Sequence, residues 1–450
     1  MQSPMQTMTQ AAADLQSGRV TARDLVERSL AAIQDPAGQG ARAFIAVYAE
    51  QARAGADAMD LLRRHNRHPG PYAGLPCSLK DLFDVAGEVT AAGSKILADA
   101  PPAKAHCTVV ARVLAAGFVP VGRTNMTEFA FSGLGLNPHH GTPLSPWRRD
   151  VGHIAGGSSS GAAVSVADGM AFAALGTDTG GSCRIPAAFC GVVGYKPTAR
   201  RVPMDGLVPL SQTLDSVGPL ARSVADCAAV DAILAGEAPA PVQPLALRGM
   251  RIAVPGNMVM EGVEPAVAEA FGRALNRLGT QGARITHMPF PQFDDVVAVN
   301  NRGFATAEAY AWHAKLLATK GALYDPRVRW RIERGEGMTA GEYMALLAAR
   351  ARICASMDAA TAPFDAVAMP TCPVTPPTLA SLDTDDAEFT RVNGLVLRNP
   401  ALANFLDRCS ISVPAHRRGE APVGFMLMGA TGGDARLFAV AAAVEAVLKD

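Results

Sequence analysis

The chain has 450 residues with 41 basic and 41 acidic side chains, so its formal charge is zero, and neither sign gathers into a block. That balance argues against nucleic acid or an anionic membrane as the main partner. Apolar residues make up 49% of the chain but aromatics only 6%, so the core must be built from Ala, Val and Leu, as in a soluble, helix-rich enzyme.

In chain order, the first helix signal is Thr21-Ala22-Arg23-Asp24, with Thr21 as N-cap and Asp24 favourable in the first turn. Val26, Leu30 and Ile33 follow at helical spacing. A second helix is predicted over Ala41 to His65, stopped by Pro69-Gly70-Pro71. Leu75 to Phe83 reads as a strand entering a loop, with Lys80 near its end. A helix over Cys107 to Ala116 and a short strand over Phe118 to Val121 make a β-α-β-like start. Asn137 to Gly157 is polar and rich in Gly and Pro, and reads as a long loop. Then come a helix over Ser160 to Gly169, a buried strand over Met170 to Gly176 and a short strand, Gly191-Val192-Val193-Gly194. Ser223-Val224-Ala225-Asp226 caps a helix, and Met250 to Pro255 is a strand. Asn301 to Ala362 is mostly helical. Phe364 to Met369, Ser410 to Pro414 and Phe425 to Met428 are late strands, and the last helix begins near Asp434. This alternation, without repeats or a low-complexity linker, predicts an α/β fold with a central mixed sheet covered by helices.

Cys77, Cys107, Cys183, Cys190, Cys227, Cys354, Cys372 and Cys409 form no C-x-x-C pair, so they read as small buried thiols in a reducing compartment. Met1 to Gln10 lacks the basic and apolar regions of a leader, and no window reaches about 18 uninterrupted apolar residues. A cytoplasmic protein without a membrane span is expected. His65 and His68 have a spacing that suits a metal but lack a third ligand, and His139-His140 carries no ligand pattern; no metal site is expected.

Two serine-glycine patches carry the chemistry: Gly156-Gly157-Ser158-Ser159-Ser160-Gly161 and Thr177-Asp178-Thr179-Gly180-Gly181-Ser182. Ser158 and Ser182 stand 24 positions apart, and the one helix and one strand between them can return the second serine to the side of the first. A serine beside successive glycine amides has the parts of a nucleophile with an oxyanion hole. No histidine follows nearby, so the base must be another group, and Lys80 is the candidate. The first patch also fits G-x-S-x-G, which would select Ser159. A nucleophile elbow follows a buried strand, however, and Val151-Gly152-His153-Ile154-Ala155 is too broken to be one. His287, His313 and His416 show no acidic partner in sequence. Alone, the patch reads equally as a loop and a helix cap.

Gly74-Leu75-Pro76-Cys77-Ser78-Leu79-Lys80-Asp81, the Gly-Gly-Ser-Ser-Ser-Gly patch and Gly176-Thr177-Asp178-Thr179-Gly180-Gly181-Ser182-Cys183-Arg184-Ile185-Pro186 resemble, in order and spacing, the three signature blocks of the amidase signature family. The segments 122–129, 191–197 and 422–429 resemble its secondary blocks, so the likeness spans nearly the whole chain. It implies one domain over 1–450: N-terminal helices at about 8–66, a catalytic core at about 70–235, a variable helical region at about 300–362 and C-terminal strands and helix at about 363–450.

The resemblance also implies the roles. Ser182 matches the nucleophile, Ser158 the bridging serine after a cis peptide bond and Lys80 the base. The N–H groups of Thr179, Gly180 and Gly181 match the oxyanion hole. A free lysine, with a pKa near about 10.4, is a poor base at neutral pH, but burial lowers that value. Lys80 would then draw the Ser182 proton through Ser158. The expected activity is hydrolysis of small aryl or acyl amides, with esters and carbamates such as urethanes open to the same chemistry, and with no cofactor. Asp178 and Arg184 are expected to brace the nucleophile loop. Ser159 and Ser160 would either hydrogen-bond around Lys80 and Ser158 or cap the helix. Met126 would line the acyl pocket or pack in the core. Tyr310, Trp312, Tyr324, Trp330 and Tyr343 would form a substrate wall or pack between helices.

The family's Asn-x-x-Gly-x-Pro turn is altered here, with Asp407 and Cys409 after Asn404, and Arg123 stands where lysine is usual. The alternative within the family is the glutaminase subunit of a tRNA-dependent amidotransferase, which needs partner subunits and a glutamine clamp. A scaffold with a dead site is disfavoured by intact Lys80, Ser158 and Ser182. The expected partner is a small amide or carbamate, with the protein a monomer or homodimer.

Overall fold

In a computed structural model that describes residues 6–300 and 303–449, eleven short strands form one sheet. They are β1 Phe44–Val47, β2 Pro76–Lys80, β3 Val119–Thr124, β4 Ala173–Thr177, β5 Val193–Lys196 and β6 Val217–Ala221, then β7 Arg251–Pro255, β8 Arg284–Met288, β9 Ala366–Pro370, β10 Ser410–Pro414 and β11 Gly424–Met428. Their order across the sheet is β1-β3-β2-β4-β6-β5-β10-β11-β9-β7-β8. β2 runs parallel to β3 and β4, and β7 to β8 and β9, while the other neighbours are antiparallel. The sheet is therefore mixed. Helices cover it, which is why β2, β4, β9 and β11 are buried along their whole length; β4, β9 and β11 read as largely apolar runs rather than alternating ones, whereas β2 buries Ser78 and Lys80. Only the edge strand β8 shows exposed positions through its middle.

Local signals set several boundaries as predicted. Thr21 accepts from the Asp24 N–H and Asp24 returns the bond, a capping box worth about 1 kcal/mol that opens the helix Ala22–Gln34. Ser223 Oγ accepts from the Asp226 N–H and caps Val224–Ala235, without the return bond. The stretch 304–361 is helical as expected; Asn301, its predicted start, lies outside the described residues, as do Met1 to Met5 of the N-terminal stretch.

The single helix predicted over Ala41 to His65 is corrected. A short turn, Gly40–Ala43, leads into β1, and the helix proper is Ala49–Arg64. Phe44, Ile45 and Val47 favour extended backbone, and pairing with β3 at the sheet edge decides the outcome. Two interior elements carry weak sequence signals. β6 contains Gly218 and Pro219 yet sits between β4 and β5. The helix Asp386–Phe405 continues through Pro400.

Candidate active site

β2 and β4 run parallel with Leu79 opposite Leu175, so their C-terminal ends bring Lys80 and Thr177 to one edge of the sheet. Lys80 is completely buried. Its Nζ donates to Ser158 Oγ and to Thr177 Oγ1, each at 2.8 Å. Burial disfavours the ammonium and lowers its pKa to about 8, against the opposing pull of Asp215 and Asp178. A neutral amine is thus accessible near neutral pH, and its lone pair can accept the Ser158 proton. Thr177 carried no assigned role in the sequence; its place at the end of β4, within hydrogen-bond reach of Lys80, supplies one.

Ser158 is presented by a loop whose Gly157-Ser158 peptide is cis. The Gly157 N–H donates to the Gly133 carbonyl at 2.8 Å, and the Ser158 carbonyl accepts from Thr127 N–H at 3.1 Å. A Cβ at position 157 would fall 2.6 Å from the Gly135 backbone, so only glycine fits this crossing. Ser159 Oγ donates to the Thr177 carbonyl at 3.3 Å, so it braces the strand end rather than contacting Lys80, while Ser160 Oγ is buried without a partner.

The helix Ser160–Ala167 and β4 return the chain to Ser182, whose carbonyl accepts from Ser159 N–H at 3.3 Å. The loop carrying Ser182 is wound around Asp178. That carboxylate accepts from Gly181 N–H at 2.8 Å, Cys183 N–H at 3.1 Å, Arg184 Nε at 3.0 Å and Nη2 at 2.8 Å, and Asn404 Nδ2 at 2.9 Å. Burial would raise the Asp178 carboxyl, but Arg184 and these donors outweigh it and hold it well below the usual range. A buried ion pair is costly unless its hydrogen bonds are satisfied, and this one is richly bonded.

The winding reshapes the expected oxyanion hole. The Gly181 N–H points to Asp178, whereas the N–H groups of Thr179, Gly180 and Ser182 have no protein acceptor among the described residues. Thr179 Oγ1 donates to Asp215 Oδ1 at 2.5 Å, and Asp215 also accepts from the N–H groups of Leu210 and Ser211, both at 3.0 Å. Burial pushes the Asp215 carboxyl up to about 6, partly offset by those bonds. Ser211 Oγ and Tyr343 OH in turn donate to Glu308, which ties the variable helices to the loop beneath Thr179.

The remaining sequence candidates separate cleanly. Met126 has no accessible surface and belongs to the core with Phe129. Tyr324 and Trp312 pack on Phe129, and Tyr310 bonds Glu336, so these three serve helix packing, whereas Trp330 lines a cavity. Asn404 is the residue the sequence left unexplained: it accepts from Arg184 and donates to Asp178. In the altered turn, Asp407 takes φ 53°, where glycine is usual, and its carboxylate accepts from Ala199 N–H and Arg200. Arg123 reaches Asp81 at 2.6 Å and the Phe83 carbonyl at 3.0 Å, a second bond that a lysine's single nitrogen would not place in the same fork.

A mixed sheet that buries a lysine of lowered pKa against two serine-glycine loops defines a hydrolase. The Amidase family model matches residues 24–438, and the chain belongs to that family, the amidase signature enzymes that act on amides. The chain is 37% identical over 405 residues to the 2-amino-5-chloromuconic acid deaminase of Comamonas testosteroni, covering 88% of this chain and 87% of that one. A solved amidase structure matches with TM-score 0.89 and 32% identity, over 98% of this chain and 100% of the other. A glutamyl-tRNA(Gln) amidotransferase subunit from Chromohalobacter salexigens is 40% identical over 298 residues, 63% of this chain and 60% of its own length. Among the described residues no helix is long and apolar enough to cross a membrane.

Proposed function

We propose that the protein is a free-standing amidase that cleaves the C–N bond of small amides through an acyl-enzyme on Ser182. The observation that carries this reading is the 2.8 Å contact between a buried Lys80 and Ser158, in a loop hydrogen-bonded to the Ser182 carbonyl. Neutral Lys80 takes the Ser158 proton as Ser158 takes that of Ser182, and Ser182 Oγ attacks the amide carbonyl. The N–H groups of Thr179, Gly180 and Ser182 stabilise the oxyanion. The relay returns the proton to the leaving nitrogen, and water then hydrolyses the ester on Ser182. Esters and carbamates present the same carbonyl and fall within the reading. Cleavage of a C–N bond is also what the name of the Comamonas deaminase denotes.

The likeness to the Chromohalobacter amidotransferase component favours a second reading, a glutaminase that works with partner subunits. A hydrolysis screen over aliphatic amides, anilides, esters and carbamates, with glutamine as control, separates the two. Turnover of simple amides by the isolated chain supports the first; turnover of glutamine alone, in a co-purifying complex, supports the second. A fluorophosphonate probe should label the parent and not Ser182→Ala; equal labelling of both would overturn the nucleophile assignment.

A further inference from the structure

Glu308, on the helix Phe304–Lys320, joins two helices of the variable region to the turn 211–215. Its Oε2 accepts from Ser211 Oγ at 2.6 Å and from Thr213 N–H at 3.0 Å. Its Oε1 accepts from the hydroxyl of Tyr343, on the helix Ala340–Thr361, at 2.5 Å. Glu308 thus clamps the turn from outside. Asp215 holds the same turn from inside, receiving the N–H groups of Leu210 and Ser211, while the Ser211 carbonyl accepts from Leu214 N–H at 3.2 Å and Asp215 N–H at 2.8 Å. Ser211 is fully buried, and among the described residues its hydroxyl has no acceptor other than Glu308. A buried hydroxyl left without an acceptor is costly, so Glu308 fixes the Ser211 side chain and with it the N–H that Asp215 receives.

The turn is fastened in its turn to the nucleophile loop at three points. Asp215 Oδ1 accepts from Thr179 Oγ1, Asp178 N–H donates to the Ser216 carbonyl at 2.8 Å, and Ser216 N–H donates to the Asp178 carbonyl at 3.2 Å. Thr179 is one of the residues whose N–H has no protein acceptor among the described residues. A displacement of the turn therefore reaches that amide by two routes, the Thr179 side chain and the backbone of the residue before it. A carboxylate accepts stronger hydrogen bonds than a neutral group does, and both Glu308 and Asp215 take three donors. The chain from the variable helices to the Thr179 amide is stiff at each step.

We propose that Glu308 is a positioning residue for the reaction: acting through Ser211, Asp215 and Thr179, it sets the direction of the Thr179 amide in the oxyanion hole without touching the substrate. This rests on the acyl-enzyme reading above and adds to it a contribution from the variable helices.

The test is a double-mutant cycle of Glu308→Leu and Thr179→Val, read as the limiting rate at which a fluorophosphonate labels Ser182, because the phosphonyl oxygen takes the place of the oxyanion. Losing an oxyanion donor outright costs about 100- to 1,000-fold, and a misdirected one costs less, so each single variant should label about tenfold more slowly. Residues acting in series do not add, so the double variant should also lie about tenfold below the parent. A merely structural loss at Glu308 would instead multiply with that of Thr179→Val. Glu308→Gln keeps an acceptor for Ser211 and Thr213 and should stay within about twofold of the parent. An unchanged rate in either single variant, a loss of about 100-fold in the double variant, or a Glu308→Gln as slow as Glu308→Leu overturns the proposal. Where Glu308→Leu fails to fold, Ser211→Ala removes the same bond from the other side and takes its place in the cycle with the same expectations. A parent that takes no label at Ser182 overturns the acyl-enzyme reading and this proposal with it; a labelled parent with unaffected variants overturns this proposal alone.

Discussion

Thr177→Val tests how the buried lysine is tuned. The hydroxyl of Thr177 accepts from Lys80 Nζ at 2.8 Å, and valine keeps the shape while removing that acceptor. A hydrogen bond to a charged group contributes about 1.5–3 kcal/mol and one to a neutral group about 0.5–1.5 kcal/mol. The substitution therefore penalises the ammonium more than the amine, by about 1–1.5 kcal/mol. At about 1.4 kcal/mol per pH unit, the Lys80 pKa should fall from about 8 to about 7. The neutral fraction at pH 7 would rise from about 9% to about 50%, while the limiting rate falls several-fold because the amine is less firmly held. The assay is kcat/KM on an uncharged amide from pH 5.5 to 9.5 (about two units either side of neutrality). The acid limb should move about one unit to lower pH. A limb that stays in place or moves to higher pH would refute the assignment of Lys80 as the base and Thr177 as its acceptor.

Lys80→Met should abolish turnover yet stabilise the fold at pH 7. Burial lowers the folded pKa from 10.5 to about 8, so between those values the unfolded chain holds a proton that the folded chain does not, and stability rises with pH across that window. Below about pH 8 the full penalty of about 3 kcal/mol is present, and methionine removes it while losing two hydrogen bonds. Thermal melts should show a gain of about 1–2 kcal/mol at pH 7 that disappears by pH 10; destabilisation at both pH values would contradict it. Asp178→Asn leaves Arg184 buried without its counter-charge and should cost about 3–5 kcal/mol in denaturant unfolding, whereas a surface-like loss below about 1 kcal/mol would show that the pair does not hold the loop. Thr179→Val cuts the link to Asp215 and should lower kcat about tenfold with Thr179→Ser restoring it; an unchanged kcat would detach Asp215 from the oxyanion loop.

Sequence pattern revealed what depends on local chemistry. The Thr21 and Ser223 caps, the strand ending at Lys80 and the glycine-rich turns around both serines were legible because each uses residue types that few other structures need. β6 was not legible, because Gly218 and Pro219 mark turns in isolation and become strand only between β4 and β5. A Cβ at position 218 would stand 2.0 Å from the Tyr195 carbonyl, so the glycine answers a tertiary crossing rather than a turn. The amide of Gly181 shows the same limit within the site. Its residue type suits an oxyanion hole, but its direction is fixed by Asp178, and no spacing rule reports direction.

The helix Asp386–Phe405 joins the nucleophile loop to a cavity at its other end. Its C-terminal turns press on Gly180 and Gly181 through Leu397 and Pro400, and Asn404 fixes Asp178, so movement of the helix would move the loop that carries Ser182. Its N-terminal turns shape the cavity that holds Arg331.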